Sequence, residues 1–143
     1  MTPRIEDIDI HELLPQQEPF VLVDRLTWFD EQRTTTEFTV REDHLMVEDG
    51  RLMTCALAEN MAQTCAARLG YVNKYILKKD IQIGFIGAVK DMVIHDTPKI
   101  GDMLVTTIDV LQQLMNITLA EATIRCNDRI IATSQLKIAM VAS

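Results

Sequence analysis

The sequence predicts an α+β fold in which one antiparallel sheet of six strands wraps around a single long central helix. Three observations support this prediction. Residues 52–71 are apolar on nearly every side of a helix, which is typical of a buried helix. Two β-rich runs precede this helix and four follow it. A parallel sheet would need a crossover helix for each pair of strands, so an antiparallel sheet around one helix is expected.

The composition is that of an ordinary globular protein, and we expect one domain over residues 1–143. Hydrophobic residues make up 48% and charged residues 24% of the chain, with 5 Gly and 4 Pro. The formal net charge of -7 argues against a nucleic-acid partner, because binding phosphates requires basic patches. No apolar run reaches membrane-spanning length, so no membrane association is expected.

The N-terminus and the cysteines predict a cytoplasmic protein. Residues 1–14 carry acidic side chains where a secretory signal would have a basic region and an apolar core. The 3 Cys are odd in number and their spacing matches no zinc site, so reduced thiols are expected. We expect neither a metal nor a cofactor.

The part of the chain before the helix is expected to form a short helix or turn and then a hairpin. Apolar residues recur in residues 5–14 and stop at Pro15, which ends a helix or turn. Residues 20–29 and residues 33–40 both alternate between apolar and polar side chains, which predicts two paired strands. The charged residues 41–51 predict a loop leading into the helix.

The helix is expected to end near Gly70, because glycine is a common stop residue. Four β-rich runs separated by turn residues then follow, at residues 81–96, 103–113, 116–126 and 129–142. The last run predicts an apolar face formed by Ile130, Ala132, Leu136, Ile138 and Met140. Its polar face is predicted to carry Thr133, Gln135 and Lys137.

Glu59 is the residue of the central helix that most needs an explanation. An unpaired ionised carboxylate in an apolar setting is costly, so it must be paired, protonated or retained for chemistry. Gln63 follows four residues later, which places the two side chains on one face of the helix. From the residues alone, a carboxylate paired with Asn60, Gln63 or a backbone donor is the favoured explanation.

Two motifs resemble those of the 3-hydroxyacyl-acyl carrier protein dehydratases of the hotdog superfamily. LLPQQEPFVLVDRL resembles their N-terminal motif, which begins with Leu-Pro-His and ends with Val-Asp-Arg, and AENMAQTCAARLG resembles their helix motif. IGFIGAVKDMVIHDTPKIGD and IIATSQLKI resemble later strands of the branch implicated in aryl-polyene and flexirubin-type pigment assembly. The resemblance spans nearly the whole chain and implies the hotdog fold.

The resemblance also implies a catalytic pair, formed by the His of the loop motif and the acid of the helix motif from opposite subunits. The His removes the α proton, and the acid helps the β-hydroxyl leave as water. Glu59 occupies the position of the acid and Gln16 that of the His. A carboxamide cannot be a general base, although it can donate and accept hydrogen bonds. The three histidines, His11, His44 and His95, are expected to be surface residues.

Further residues are expected to bind the substrate and its carrier. Gln63 and Phe20 are candidate substrate contacts. The backbone amides near Gly84 and Gly87 are candidates for binding the thioester carbonyl, because glycine lets a ligand approach closely. A bulged or packed strand is the alternative explanation for these glycines. An acidic acyl carrier protein would dock on the basic residues around the end of the helix, for which a solvated face is the alternative: Arg68, Lys74, Lys78 and Lys79.

Three functions follow from these observations. The first is a dehydratase-like enzyme acting on acyl-carrier-protein thioesters in fatty acid or polyene biosynthesis, with Gln16 positioning substrate or water. The second is a catalytically impaired subunit that completes an active dehydratase paralogue, and the third is a hotdog acyl thioesterase. In each case we expect a homodimer, a heterodimer with a related hotdog subunit, or a higher oligomer, because two such sheets join edge to edge.

Overall fold

The computed structural model describes residues 3–78 and 84–140. One antiparallel sheet contains six strands: β1 (Arg25–Phe29), β2 (Arg33–Thr39), β5 (Gly84–Ile94), β6 (Met103–Leu114), β7 (Ile117–Cys126) and β8 (Arg129–Met140). Their order in the sheet is β1-β2-β6-β7-β8-β5. The central helix α1 spans Thr54–Tyr71. The predicted fold, one sheet of six strands around one helix, is confirmed.

Shorter elements complete the chain. Two 3₁₀ turns, Ile5–Asp7 and Ile10–Glu12, precede the sheet, and a π-helical turn, Val72–Ile76, follows α1. The predicted loop before the helix contains a ribbon of two short strands, β3 (Val47–Glu48) and β4 (Arg51–Leu52). This ribbon is attached to the main body by the Leu52 N–H, which donates to the Pro98 carbonyl at 2.9 Å.

The main core lies between α1 and the concave face of the sheet. The helix contributes Leu57 and Met61, and the strands contribute Phe38, Leu104 and Ile124, all of them completely buried. Each such side chain stabilises the fold by roughly 1.5–3 kcal/mol relative to an exposed one. The opposite face of α1, which includes Ala58 and Ala62, is only half-buried within one chain.

The α-helix ends at Tyr71, near Gly70 as predicted, but Gly70 is not a stop residue. The helix continues to Tyr71 and passes directly into the π-helical turn. A Cβ at position 70 would lie 2.3 Å from the Leu13 carbonyl oxygen. Gly70 therefore lets the N-terminal segment pack directly on the helix backbone.

The first strand is shorter than predicted. It begins at Arg25, so residues 20–24 lie before the strand. Val21, Leu22 and Val23 are nevertheless buried. Since buried backbone groups need hydrogen-bond partners, this segment must obtain them from another source.

The predicted inner face of β8 is wrong at its first residue. Ile130 is 41% exposed, whereas Ile131 is buried. Arg125 pairs with Ile130 while Ile124 pairs with Ala132, so one extra residue bulges from β8 at this point. From Ala132 to Ile138 the predicted alternation is found, with Leu136 buried and Gln135 exposed, and the side chain of Met140 lies outside the described part of the chain.

Candidate active site

Glu59 and Gln63 lie on one face of α1, as their spacing predicted. The Gln63 Nε2 donates to the Glu59 Oε1 at 3.1 Å. Glu59 is half-buried, whereas Gln63 is completely buried. The carboxylate is thus held in a defined orientation and keeps a partly accessible side.

Two amide side chains of α1 hold residues 20–22. Gln63 Oε1 accepts from the Leu22 N–H at 2.6 Å, and its Nε2 also donates to the Phe20 carbonyl at 3.0 Å. Asn60 Nδ2 donates to the Leu22 carbonyl at 2.8 Å. These amides supply the hydrogen bonds that a neighbouring strand would otherwise provide. The predicted substrate contact Gln63 therefore binds the protein's own backbone and Glu59.

His44 is buried, so its predicted surface location is wrong. Its Nε2 lies 3.0 Å from the Val21 carbonyl oxygen, and the Met46 N–H donates to its Nδ1 at 3.1 Å. A carbonyl only accepts and an N–H only donates, so this arrangement requires a neutral imidazole with its proton on Nε2. The ring packs edge-on against Phe38, with 5.7 Å between ring centroids. The charged residues before His44 suggested a surface loop, whereas its buried contacts come from Val21 and Phe38, which are remote in sequence.

The imidazole of His44 and the carboxylate of Glu59 are both attached to the same short segment. His44 binds the Val21 carbonyl. The next residue, Leu22, binds Gln63, which in turn binds Glu59. Residues 21 and 22 thus connect the imidazole and the carboxylate through hydrogen bonds within one chain.

Gln16 lies in the loop before this segment. It is half-buried, and its Oε1 is a buried atom that has no hydrogen-bond partner among the described residues. The far side of the loop is held by His11, whose Nε2 lies 3.0 Å from Glu18 and whose Nδ1 lies 2.7 Å from Asp9. The hydrogen bonds to Glu18 and Asp9 raise the pKa of His11. His11 and His95 are both exposed, as predicted.

The other predicted substrate contacts lie at two places. Phe20 follows the Gln16 loop, and its side chain is 55% exposed. Gly84 and Gly87 belong to β5, an edge strand of the sheet. The pairing of β5 with β8 shifts between Ile86 and Ala88, so Gly87 lies in an irregular part of the strand, in agreement with the alternative explanation for this residue. Binding of substrate by these residues stays a prediction.

The residues predicted to dock a carrier protein are not equally available. Arg68 donates to the carbonyls of Asp30 and Glu31 at 2.8 and 2.7 Å, and burial lowers its pKa. Lys74 forms an ion pair with Glu12 at 2.8 Å. Lys78 is exposed, and Lys79 lies outside the described residues. A docking role stays a prediction for these residues. Arg68 also stabilises the fold through its hydrogen bonds to Asp30 and Glu31.

The three cysteines, Cys55, Cys65 and Cys126, are free thiols. Burial raises the pKa of Cys65 to about 12, so this thiol is unreactive at neutral pH. Over residues 3–78 and 84–140, no group of three or more His, Cys, Asp or Glu side chains is arranged to hold a metal ion. In the same part of the chain, no helix has both the length and the apolar character needed to span a membrane.

The six-stranded sheet around one helix, with a carboxylate on that helix, defines a hotdog-fold protein. A sequence family described as ApeP-like, ApeP dehydratase, matches residues 8–142. The chain belongs to this ApeP-like family and is a dehydratase-like protein. No curated protein matches the sequence.

Several solved structures share the fold. The dehydratase heterocomplex ApeI:P from Xenorhabdus doucetiae superposes with a TM-score of 0.86 at 20% identity, covering 95% of this chain and 93% of that one. The PaaI protein of E. coli, from the phenylacetic acid degradation operon, has a TM-score of 0.64 at 15% identity and covers 80% of both chains. A hypothetical thioesterase from Streptococcus pneumoniae TIGR4, solved with coenzyme A, has a TM-score of 0.66 at 9% identity, covering 83% of this chain and 86% of that one. At these identities the likeness concerns the fold.

Proposed function

We propose that the protein is a 3-hydroxyacyl thioester dehydratase in which Glu59 is the acid and His44 is the base. One observation carries this assignment. Of the three histidines, all of which the structure describes, only His44 is buried, and its ring is held by Val21 and Met46 while Gln63 holds the helix carboxylate of Glu59. Membership of the ApeP-like dehydratase family supports the reaction class.

The reaction removes water from the substrate. A base takes the proton from C2 as the C3–O bond breaks, a C2–C3 double bond forms, and an acid delivers a proton to the leaving hydroxyl. His44 carries a lone pair on Nδ1, which must exchange its bond with the Met46 N–H for the substrate proton. Glu59 supplies the second proton while Gln63 holds its Oε1. In the dimer that the family resemblance implies, the acid and the imidazole come from opposite subunits.

The other predicted site residues are proposed to bind the substrate, its carrier protein or water. The backbone amides near Gly84 and Gly87 are proposed to bind the thioester carbonyl, and Phe20 to contact the acyl chain. An acyl carrier protein is proposed to deliver the chain across the face of Lys74 and Lys78. Gln16 is proposed to position substrate or water through its buried, unpartnered oxygen.

The experiment measures the rate at which the purified protein forms the enoyl product from a 3-hydroxyacyl thioester of an acyl carrier protein. We expect Glu59→Gln and His44→Gln to lower kcat by about 100-fold or more, as for the loss of a general acid or base. Glutamine can replace the bond from His44 to Val21, so the second variant is expected to fold, as circular dichroism will verify. Gln16→Ala is expected to lower kcat less than either of these variants, because Gln16 positions substrate or water and transfers no proton. The proposal fails if the wild-type protein forms no enoyl product under conditions in which a known dehydratase does.

A second assay separates the two candidate positions for the base. If His44 is the base, Gln16→His will not restore activity to the His44→Gln variant. If Gln16 occupies the position of a lost base, Gln16→His alone will raise the activity of the wild-type protein. Thioesterase activity is followed in the same samples by release of free thiol. Hydrolysis that persists in Glu59→Gln would exclude the mechanism in which the carboxylate activates water.

The second candidate function is that of a subunit in a mixed dimer with a related hotdog protein. The similar structure from Xenorhabdus doucetiae is described as a heterocomplex of two dehydratase subunits, which favours this candidate. Coexpression with a related hotdog protein, followed by mass determination in solution, tests it. A complex that dehydrates substrate only when both chains are present supports this function. A protein that elutes only with itself and is fully active argues against it.

A further inference from the structure

His11 lies between two carboxylates that belong to different parts of the chain. Its Nδ1 lies 2.7 Å from the Asp9 Oδ1, and its Nε2 lies 3.0 Å from the Glu18 Oε1. Asp9 lies two residues before His11 in the N-terminal segment, whereas Glu18 lies in the Gln16 loop, residues 15–19. One imidazole therefore connects this loop to the N-terminal segment.

These two contacts require the charged form of His11. An ionised carboxylate only accepts hydrogen bonds, so each ring nitrogen must carry a proton. A neutral imidazole has one N–H and would direct the lone pair of its other nitrogen at a carboxylate oxygen. Among the described residues, two charged groups face the ring, Asp9 and Glu18. The protonation state of His11 thus decides whether both contacts exist.

The N-terminal segment is a fixed base for the imidazole. Ile10, directly before His11, is buried in an apolar cluster. The next carboxylate of the segment, that of Glu12, forms an ion pair with Lys74 at 2.8 Å and accepts from the Tyr75 hydroxyl at 3.2 Å. Both of these partners belong to the π-helical turn after α1. The segment is therefore attached to the fold independently of the His11 ring.

Loss of one proton releases the loop side of the connection. The Asp9 carboxylate accepts from the His11 backbone N–H at 3.0 Å as well as from the ring at the shorter distance of 2.7 Å. The remaining proton of a neutral ring therefore stays on Nδ1, and the lone pair of Nε2 faces Glu18. The hydrogen bonds to Glu18 and Asp9 raise the pKa of His11 above its ordinary value of 6.5. The connection is therefore complete below that ordinary value and is lost as the pH rises through the raised pKa.

The loop that Glu18 holds leads directly into the segment bound to the central helix. The Phe20 N–H donates to the Gln17 carbonyl at 3.0 Å, which closes a turn around Glu18. The Phe20 carbonyl accepts from Gln63 of α1 at 3.0 Å. Gln16 and Phe20 lie two residues before and two residues after Glu18, and both are proposed above to act on the substrate or on water.

We propose that Asp9, His11 and Glu18 form a pH-sensitive clasp, which holds the Gln16 loop in place while the imidazole is charged and releases it at higher pH. The clasp itself does not depend on the proposed function, whereas its effect on substrate binding rests on that function. A released loop leaves Phe20 less well fixed, so the affinity for the substrate falls as the pH rises.

Two variants of Glu18 test the clasp. Its side chain is 54% exposed, so both variants are expected to fold. Glu18→Ala removes the contact at every pH. Glu18→Gln keeps it at every pH, because an amide accepts from the charged imidazole through its oxygen and donates to the neutral one through its nitrogen. His95 is exposed and follows β5, so it is the internal control for the titration.

NMR on the full-length protein is recorded from about pH 5.5 to about pH 8.5, which spans the range in which histidine titrates. The ring signals of His11 and His95 give the midpoint of each titration. We expect Glu18→Ala to lower the His11 midpoint and to leave the His95 midpoint unchanged. The amide exchange rate of Phe20 in the wild-type protein is divided by that in Glu18→Gln at the same pH, which removes the direct effect of pH on exchange. This ratio is expected to rise about 2- to 5-fold across the His11 midpoint, the factor that corresponds to an exposed ion pair.

Dehydration assays over the same pH range measure the effect on the substrate. The KM of the wild-type protein, divided by that of Glu18→Gln, is expected to rise by a similar factor of about 2- to 5-fold across the His11 midpoint. The ratio of the two kcat values should stay within about twofold, because the clasp contacts no reacting atom. His44 and Glu59 are present in both proteins, so their own titration cancels in these ratios.

The outcomes separate this inference from the proposed function. A Phe20 exchange ratio that stays constant with pH, or that changes away from the His11 midpoint, would overturn the clasp. A His11 midpoint that Glu18→Ala leaves unchanged would overturn it as well. A constant KM ratio beside a changing exchange ratio would overturn the control of substrate binding. If the exchange ratio changes as expected while the wild-type protein forms no enoyl product, the clasp is confirmed and the proposed function is the part that fails.

Discussion

The lack of a side chain at Gly70 allows the N-terminal segment to approach the central helix closely. At Gly70 the helix has no Cβ, and the backbone of Leu13 occupies the space where one would lie. Leu13 is itself completely buried in a second apolar cluster with Ile10 and Ala67. Gly70 thus joins the segment that precedes the Gln16 loop to the helix that carries Glu59.

Gly70→Ala is expected to destabilise the protein by about 1–3 kcal/mol, because its methyl group would overlap the Leu13 carbonyl, which cannot rotate away. Urea unfolding measures the change. Gly87→Ala is the control, since a Cβ there would meet the Lys137 carbonyl at an ordinary 3.6 Å. We expect this control to stay within about 0.5 kcal/mol of wild type. A Gly70→Ala protein as stable as wild type would show that Leu13 can move at little cost.

The sequence predicted the contacts of individual residues least well. Gly70 lies near the end of an apolar run, which suggests a helix stop. Its contact with the Leu13 backbone was not predicted, because Leu13 is remote in sequence. His44 has charged neighbours on one side, yet its partners Val21 and Phe38 come from other parts of the chain. The spacing of Glu59 and Gln63 was predictable because helical neighbours are local. Contacts that depend on tertiary packing were not.

Between elements, Arg68 joins the end of α1 to the turn of the β1–β2 hairpin. Its guanidinium donates to the carbonyls of Asp30 and Glu31 and to the Thr34 hydroxyl, all at 2.7–2.8 Å. It also lies over the ring of Phe29, 4.7 Å from the centroid. One side chain thus satisfies two carbonyls of a tight turn and covers an aromatic ring.

Arg68→Met is expected to lower the free energy of unfolding by about 2–3 kcal/mol, because it keeps the apolar stem but leaves hydrogen-bond acceptors without their charged donor. Thermal and urea unfolding measure the loss. Lys74→Ala removes the exposed ion pair with Glu12 and should change stability by less than about 1 kcal/mol. Equal stability of the two variants would show that Arg68 contributes no more than a surface charge.

The sequence predicted which strands and helices exist better than it predicted where they begin and end. Alternation predicted the first two strands of the sheet and the last, and β-rich runs between turn residues predicted the other three. Residues 20–24 were wrongly joined to the first strand, because side chains of α1 and of the following loop, and not a neighbouring strand, bind the backbone of residues 20–22. Ile130 was placed on the wrong face because a bulge changes the alternation within β8.

For the molecule as a whole, the sheet ends in two edges, β1 and β5. The β5 edge carries exposed apolar side chains, with Val89 46% and Val93 45% exposed. A long edge of this kind presents unpaired backbone groups beside apolar surface, which favours pairing with a second sheet. The sequence predicted that two sheets would meet, but a pattern within one chain does not specify whether the second chain is a copy or a relative.

Val89→Lys is therefore expected to weaken association, whether the protein binds itself or a related hotdog subunit. A lysine at the β5 edge would bring a charge into an apolar contact, and a loss of about 2–3 kcal/mol would raise the dissociation constant by about 30- to 150-fold. Sedimentation or light scattering over a concentration series measures the change. Ile130→Lys is the matched control, because Ile130 is similarly exposed, at 41%, but lies on the interior strand β8. If Val89→Lys associates as wild type does, or if both variants dissociate equally, the contact between chains does not run along β5.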